Sequence, residues 1–291
     1  MPSPIADLLN AIAASPFRIA PKARADLNQV IDSKALALEI CADKALSAEL
    51  IVSSNLIRLG VPFLEVLWAA AHAYIVVFHE CQQANKRGDI SFAIGGIPRT
   101  ARAYKLYREL LQAHAAGSPV EWPSLDIRPE RYPPQDTDSF IANELFLVAI
   151  AWIIHHEIAH ARLGHQEVTV TSVSQENEAD EAATRWVCRG TKDSASLHKR
   201  ATGVVTAVVL LIAYDLEVHR TRSKTHPPSF ERLIRNLDAT GLGESEMIYA
   251  FAFKLVEIHL LQSDVPHELD REGAFRDTCI SACMALRNVA A

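Results

Sequence analysis

The chain has 291 residues, 49% of them hydrophobic and 22% charged, a composition that excludes a disordered or fibrous protein. The net charge of −6 and the absence of a long run of Lys and Arg argue against a nucleic-acid partner. The five scattered cysteines resemble no disulfide framework, and the first residues lack the basic segment of a secretory signal, so we expect a cytoplasmic protein.

Periodicity and turn residues in the N-terminal part predict long helices and a small sheet. Ser3 and Thr100 are residue types that cap helices, and each precedes a helical pattern. The helices predicted here cover residues 3–14, 62–85 and 100–116. Short apolar runs bounded by turn residues predict strands, the third of them more weakly, at 36–40, 49–53 and 90–94.

The segment 117–136 contains five prolines, and we interpret it as an ordered surface connection. It separates an N-terminal part (1–135) from a helical catalytic part (136–291) of one predicted domain, 1–291. The helices predicted downstream are 138–163, 176–188, 195–219, 227–236, 244–262 and 272–288. The longest uncharged apolar runs are shorter than the ~20 residues that span a bilayer, so we predict no membrane span. The predicted class is α+β, predominantly α-helical.

Residues 156–160 read His-Glu-Ile-Ala-His at the end of an apolar helical segment. On a helix, His156 and His160 differ by about 40° around the axis, so both imidazoles can bind one zinc ion. Glu157 lies about 100° from His156, where it can act as a general base toward water. Imidazole groups on such an apolar helix are costly to bury without a partner. This segment therefore predicts a zinc-dependent peptidase.

The third ligand distinguishes the classes of zinc peptidase. The metzincin class requires a histidine six residues after the second one, where this chain has Gln166. His165 would lie about 140° from His160 on a continuing helix and would be a poor ligand. Glu176, followed four residues later by Asp180, matches the third-ligand helix of the gluzincins, which completes a His₂Glu site. Asp180 could then accept the outer N–H of a ligand histidine.

Two further carboxylates leave the third ligand open. Glu178 and Glu181 would point about 160° and about 140° away from Glu176 on a regular helix, and either is a rival for the place of the third ligand. An acidic first helical turn also favours the helix dipole, which accounts for some of these carboxylates without a metal. We prefer Glu176.

A second motif, Thr-His-Pro-Pro, follows at residues 225–228. His226 could donate a hydrogen bond to the oxygen of a tetrahedral intermediate. Arg232, six residues later, could clamp Glu176 or Asp180.

Four blocks of the sequence resemble the Lit-type phage-exclusion peptidases, a bacterial gluzincin family. These blocks are SPFRIAPKARADLNQVID, AIAWIIHHEIAHARLGH, QENEADEAATRW and THPPSFERL. They extend from residue 15 to about residue 235, and residues 37–140 match only loosely. The HHEIAH, NEAD and THPP blocks in this order are more specific than any one of them alone.

The resemblance implies a zincin-like catalytic core and a cytoplasmic endopeptidase that acts in phage defence. Members of the family cleave translation elongation factor Tu when a phage-derived peptide signals infection. The resemblance also implies that His156 and His160 are zinc ligands and that Glu157 is the catalytic carboxylate. It leaves the choice between Glu176 and Glu178 open.

Two readings from other classes compete with a peptidase. One is a catalytically silent zinc-binding module with a regulatory or interaction role, against which the intact Glu157 argues. The other is a helical interaction protein without a metal, in which the apolar helices form only the core. Zinc analysis of the purified protein would test the second interpretation, because a protein without a metal site would not contain about one zinc ion per chain. The oligomeric state is not predicted.

Overall fold

A computed structural model of the chain describes residues 3–42, 47–89, 93–118, 122, 126–165, 172–218, 226–262, 269 and 273–289. These residues form a mostly helical fold with one small sheet, which confirms the predicted α+β class. The helices are α1 (Leu9–Ile19), α2 (Arg24–Lys34), α3 (Val61–Arg87), α4 (Pro98–Ala115), α5 (Asp138–Leu163), α6 (Val173–Cys188), α7 (Ser194–Glu217), α8 (Ser229–Ala239), α9 (Met247–Leu261) and α10 (Phe275–Val289). The strands are β1 (Ala37–Cys41), β2 (Ala48–Ile51) and β3 (Leu56–Gly60).

The predicted start of the first helix is confirmed. The Oγ of Ser3 accepts a hydrogen bond from the N–H of Ile5 at 3.3 Å, and a 3₁₀ turn, Pro4–Leu8, leads into α1. The prediction for Thr100 is wrong, because α4 begins at Pro98 and the Thr100 hydroxyl lies inside its first turn. That hydroxyl donates back to the carbonyl oxygen of Ile94 at 2.6 Å.

The sheet has the strand order β1-β3-β2, with β1 parallel and β2 antiparallel to β3. The two stronger strand predictions are confirmed within two residues at each end. The weaker one is wrong where it can be judged: residues 90–92 lie outside the described residues, and Ile94 begins a 3₁₀ turn, Ile94–Gly96. The third strand is β3, in which Ile57 and Leu59 are buried while Arg58 pairs with acidic residues of both neighbouring strands.

Helix α5 is the central element of the core and packs against α1, α3, α6 and α7. Its residues Phe146 and Trp152 are almost completely buried. Gly203 allows α7 to approach α5 closely, because a Cβ atom at this position would lie 2.3 Å from Cγ1 of Val148. The position of α5 in the packing is therefore fixed by neighbours on several sides.

Three helices are long and apolar enough to cross a membrane by length and composition: α3, α5 and α7. In the fold, 83%, 72% and 56% of the most apolar 18-residue segment of each helix, in this order, is buried inside the protein. More than half of each of these apolar segments is thus covered by other parts of the protein. The absence of a membrane span remains a prediction.

The predicted helices of the C-terminal part are present, and several begin a few residues later than predicted. Helix α8 begins at Ser229 because Pro228 holds an extended conformation (φ −53°, ψ 134°) and serves as its N-cap. The described residues of 117–136 form no helix or strand, although Trp122 packs against the core. The division into parts 1–135 and 136–291 remains a prediction.

Candidate metal centre and catalytic cleft

Two helices supply the candidate metal ligands. Helix α5 carries His156 and His160 in its last two turns and ends at Leu163, followed by Gly164, which has a φ of 76°. Helix α6 begins with a capping box formed by Ser172 and Gln175. This cap satisfies the backbone N–H groups of Ser172 and Gln175 and places Glu176 in the first turn, opposite the two histidines.

The imidazoles of His156 and His160 and the carboxylate of Glu176 converge in the buried space between α5 and α6. The Nε2 atoms of the two histidines are 3.0 Å apart. Nε2 of His156 lies 3.4 Å from Oε2 of Glu176, and Nε2 of His160 lies 3.5 Å from Oε1 of Glu176. One atom from each residue lies within 4.8 Å of the others, so this group could hold a metal ion. Oε2 of Glu176 is buried and has no hydrogen-bond partner in the described part of the chain. Two imidazole nitrogens and one carboxylate are the donor set of a His₂Glu zinc site.

Asp180 lies one turn beyond Glu176 on α6 and faces the other ring nitrogen of His156. Its Oδ1 is 2.9 Å from Nδ1 of His156, at an angle short of a well-aligned hydrogen bond. Arg232 of α8 donates two hydrogen bonds to Asp180, each 2.7 Å long. Of its two predicted partners, Arg232 therefore clamps Asp180. The arrangement fixes the ring of His156 from behind, as carboxylates do for metal-binding histidines.

A polar network joins this arrangement to the core. Asn236, one turn after Arg232, donates to Asp180 at 3.3 Å. Its side-chain carbonyl accepts from the hydroxyl of Thr184, which in turn accepts from the indole N–H of Trp152 at 2.9 Å. Neither Asn236 nor Thr184 was predicted from the sequence. The four-residue spacing from Arg232 to Asn236, on one helix face, is the signal that could have indicated Asn236.

The two candidate ligand histidines differ in the direction in which their pKa values are shifted. Burial lowers the pKa of His156, but its interactions with Asp180 and Glu176 outweigh burial and raise that pKa to about 10. Burial, together with the nearby charge of His156, lowers the pKa of His160 to about 3. Metal ligands must be deprotonated, so metal binding would release the proton held by His156.

Glu157 faces a cleft of about 230 Å³ that also contains His156, Glu176 and His226 in its lining. Burial raises the pKa of the Glu157 carboxyl, and the neighbouring charge of Glu176 raises it further. A carboxyl with a raised pKa is suited to accept and return a proton. The apolar lining of the cleft comes from several elements and includes Phe63, Trp152, Ile153, Leu211 and Tyr214.

His226 lies at the mouth of the cleft, just before α8. Its side chain is 51% exposed, and its Nε2 is 3.5 Å from Oε1 of Glu176. His226 is therefore on the same side of the site as Glu176. Thr225, the first residue of the Thr-His-Pro-Pro motif, lies outside the described residues.

The rival carboxylates point away from this group. Glu178 lies 3.4 Å from Nε2 of His165, and Glu181 pairs with Arg185 at 2.5 Å on the solvent side of α6. His165 itself is buried beside His160, a contact that was not predicted from the sequence. The angle predicted for His165 assumed a continuing helix, whereas α5 ends at Leu163 and the chain turns.

The chain is similar to known peptidases. The family model of peptidase U49 matches residues 57–252. The chain is also 34% identical, over 282 residues that cover 94% of each sequence, to the cell death peptidase of Escherichia coli strain K12. No solved structure matches the chain. The family match and the identity together show that the chain belongs to the peptidase U49 family and is a protease.

Proposed function

We propose that the protein is a zinc-dependent endopeptidase of the gluzincin type. The observation that carries this proposal is the convergence of His156, His160 and Glu176 beside Glu157, three of which line one cleft. A structural metal site needs no carboxylic acid at the position of Glu157. This residue therefore favours catalysis over a silent zinc-binding module.

Each residue of the cleft has a separate role in this proposal. A bound zinc ion would supply a Lewis acid that polarises a carbonyl group and makes water more acidic. Glu157 removes a proton from the attacking water and returns it to the leaving amine. His226 donates a hydrogen bond to the oxyanion of the tetrahedral intermediate. Asp180 and Arg232 hold the ring of His156 in position.

Replacing Glu176 with alanine should abolish stable zinc binding. We expect about one zinc ion per chain in the wild type and almost none in Glu176→Ala after dialysis, because two histidines alone do not complete the site. Elemental analysis measures this directly. Glu181→Ala is the matched control, on the same helix but outside the group, and should keep its zinc. Full zinc content in Glu176→Ala would place the third ligand elsewhere.

The open edge of β2 is suited to bind an extended substrate. The N–H of Gly60 donates to the carbonyl of Ser47 at 3.1 Å, so these two residues form a hydrogen-bonded pair. Such pairs alternate with non-bonded pairs in an antiparallel ladder, so the backbone groups of Ala48 and Leu50 point away from β3. In the described part of the chain no strand pairs with this edge. Because Ala48 also lines the cleft, a peptide strand added here would reach the catalytic group.

Replacing Ala48 with proline should raise KM while leaving kcat nearly unchanged. Proline removes the outward N–H but is tolerated on an edge strand. The loss of one main-chain hydrogen bond, about 1 kcal/mol, corresponds to about a fivefold rise in KM. Steady-state kinetics on a peptide substrate would measure it. Ala48→Ser keeps the N–H and should behave as the wild type, and equal KM values for the two variants would refute strand addition.

For the substrate, we propose translation elongation factor Tu, cleaved in the cytoplasm during phage exclusion after a phage-derived peptide binds. The sequence blocks shared with Lit-type peptidases and the relative named as a cell death peptidase support this choice. Zinc-loaded protein would be incubated with purified elongation factor Tu, with and without candidate phage peptides, and new termini identified by mass spectrometry. A parallel incubation with bacterial lysate provides the alternative substrates. Cleavage of a different lysate protein, with elongation factor Tu intact, would refute the substrate and retain the peptidase.

A further inference from the structure

A third histidine lies directly behind the candidate metal ligand His160. His165 follows Gly164, whose positive φ of 76° ends α5 and turns the chain back toward the helix. The side chain of His165 is 6% exposed, and its ring centroid lies 5.1 Å from that of His160. The Nδ1 atoms of the two rings are 3.0 Å apart. His165 is not a member of the metal-binding group found among the described residues.

The contact between the two rings allows one arrangement of protons if His160 binds a metal through Nε2. A neutral imidazole that ligates through Nε2 carries its proton on Nδ1, so Nδ1 of His160 must donate. The only atom of His165 facing it is Nδ1, which must then be the acceptor. His165 is therefore neutral and carries its own proton on Nε2.

Glu178 accepts a hydrogen bond from the Nε2–H group of His165. Its Oε2 lies 3.4 Å from Nε2 of His165, and its Oε1 accepts from the hydroxyl of Ser174 at 3.2 Å. Each hydrogen-bond donor in the series from His160 through His165 to Glu178 thus has an acceptor. On the opposite side of the site, Asp180 faces the outer nitrogen of His156.

We propose that His165 is a positioning residue for the metal centre. It accepts a hydrogen bond from the Nδ1–H group of His160 and is itself oriented by Glu178. This inference rests on the zinc site proposed above. It also gives Glu178, the rival third ligand, a different role: it supports a ligand histidine from the far side. Partners of this kind set the tautomer and orientation of the ligand, and their loss reduces metal affinity by about 10–100-fold.

Zinc affinity of the His165→Leu and His165→Asn variants tests the proposal. Leucine fills the space without an acceptor, whereas Oδ1 of asparagine can occupy the place of Nδ1 and accept the proton. We expect about a 10–100-fold rise in the zinc dissociation constant for His165→Leu, and most of the affinity restored in His165→Asn. Chelator competition measures these constants, and circular dichroism of the metal-free proteins checks the fold. Glu181→Ala is the control on α6 and should match the wild type.

Two further measurements do not depend on a buried substitution. Glu178→Ala, at a residue whose side chain is 56% exposed, should weaken zinc binding less than His165→Leu but more than Glu181→Ala. The ¹⁵N imidazole spectrum of the zinc-loaded wild type should show a neutral His165 protonated on Nε2. The proposal would be overturned if His165 were protonated on Nδ1. It would also be overturned if the zinc dissociation constant of His165→Leu lay within about twofold of the wild-type value. A wild type that binds no zinc would instead overturn the zinc site itself.

Discussion

Replacing Glu157 with glutamine should abolish peptide cleavage while the protein retains its zinc. The amide keeps the size of the carboxylate but cannot take a proton from water, and general-base catalysis contributes about 10²–10⁴-fold to such reactions. Because Glu157 is not a member of the group formed by His156, His160 and Glu176, the zinc content should be unchanged. The measurement is kcat on a cleaved substrate beside elemental analysis of the same preparation.

A control for this substitution is available on the same helix. Glu144 lies three turns earlier in α5 and pairs with Lys199 on the surface, far along the helix from the cleft residues. Glu144→Gln should therefore retain both zinc and activity within about twofold. Substantial cleavage by Glu157→Gln would refute the assigned base and would favour a mechanism in which another group removes the proton.

Replacing Arg232 with methionine should destabilise the protein more than any surface substitution. Arg232 and Asp180 are both buried and joined by two hydrogen bonds of 2.7 Å. Removing one partner of a buried ion pair leaves the other charge without compensation and costs about 3–5 kcal/mol. Urea unfolding of the metal-free protein measures this free energy without the contribution of bound zinc.

The comparison variant is Arg235→Met, one turn further along α8 and exposed. It should change the free energy of unfolding by no more than about 0.5 kcal/mol. A double variant, Arg232→Met with Asp180→Asn, should recover part of the loss because it removes the uncompensated charge. If Arg232→Met proved as stable as Arg235→Met, the ion pair between α6 and α8 would not hold the site together.

The long helices were predicted well because each is a long stretch of mainly apolar, helix-forming residues that ends at turn residues. Residues 62–85 and 138–163 were identified almost to their ends, and in both cases a glycine with positive φ follows the last turn. Strand β3 was not predicted because its five residues, one of them an arginine, are too few to show a clear alternation of apolar and polar side chains. It becomes a central strand only through pairing with β1 and β2, which no local pattern specifies.

The candidate site was predictable where its residues share a helix. His156, Glu157 and His160 are related by the geometry of α5, so their spacing alone indicated a common centre. The choice among the carboxylates of α6 required the rotation of that helix relative to α5. The contact of His165 required the turn at Gly164, because a helical projection is meaningless once the helix has ended.

The exposed edge of β2 has a consequence for the behaviour of the protein at high concentration. Unpaired backbone groups on an edge strand are a template for any extended chain, including a strand from another copy of the same protein. The strand is only four residues long, and Glu49 on its solvent face carries a charge paired with Arg58, features that limit such self-association. The proposed substrate strand and self-association would use the same hydrogen-bonding groups, so turnover per molecule should fall wherever oligomers form through this edge.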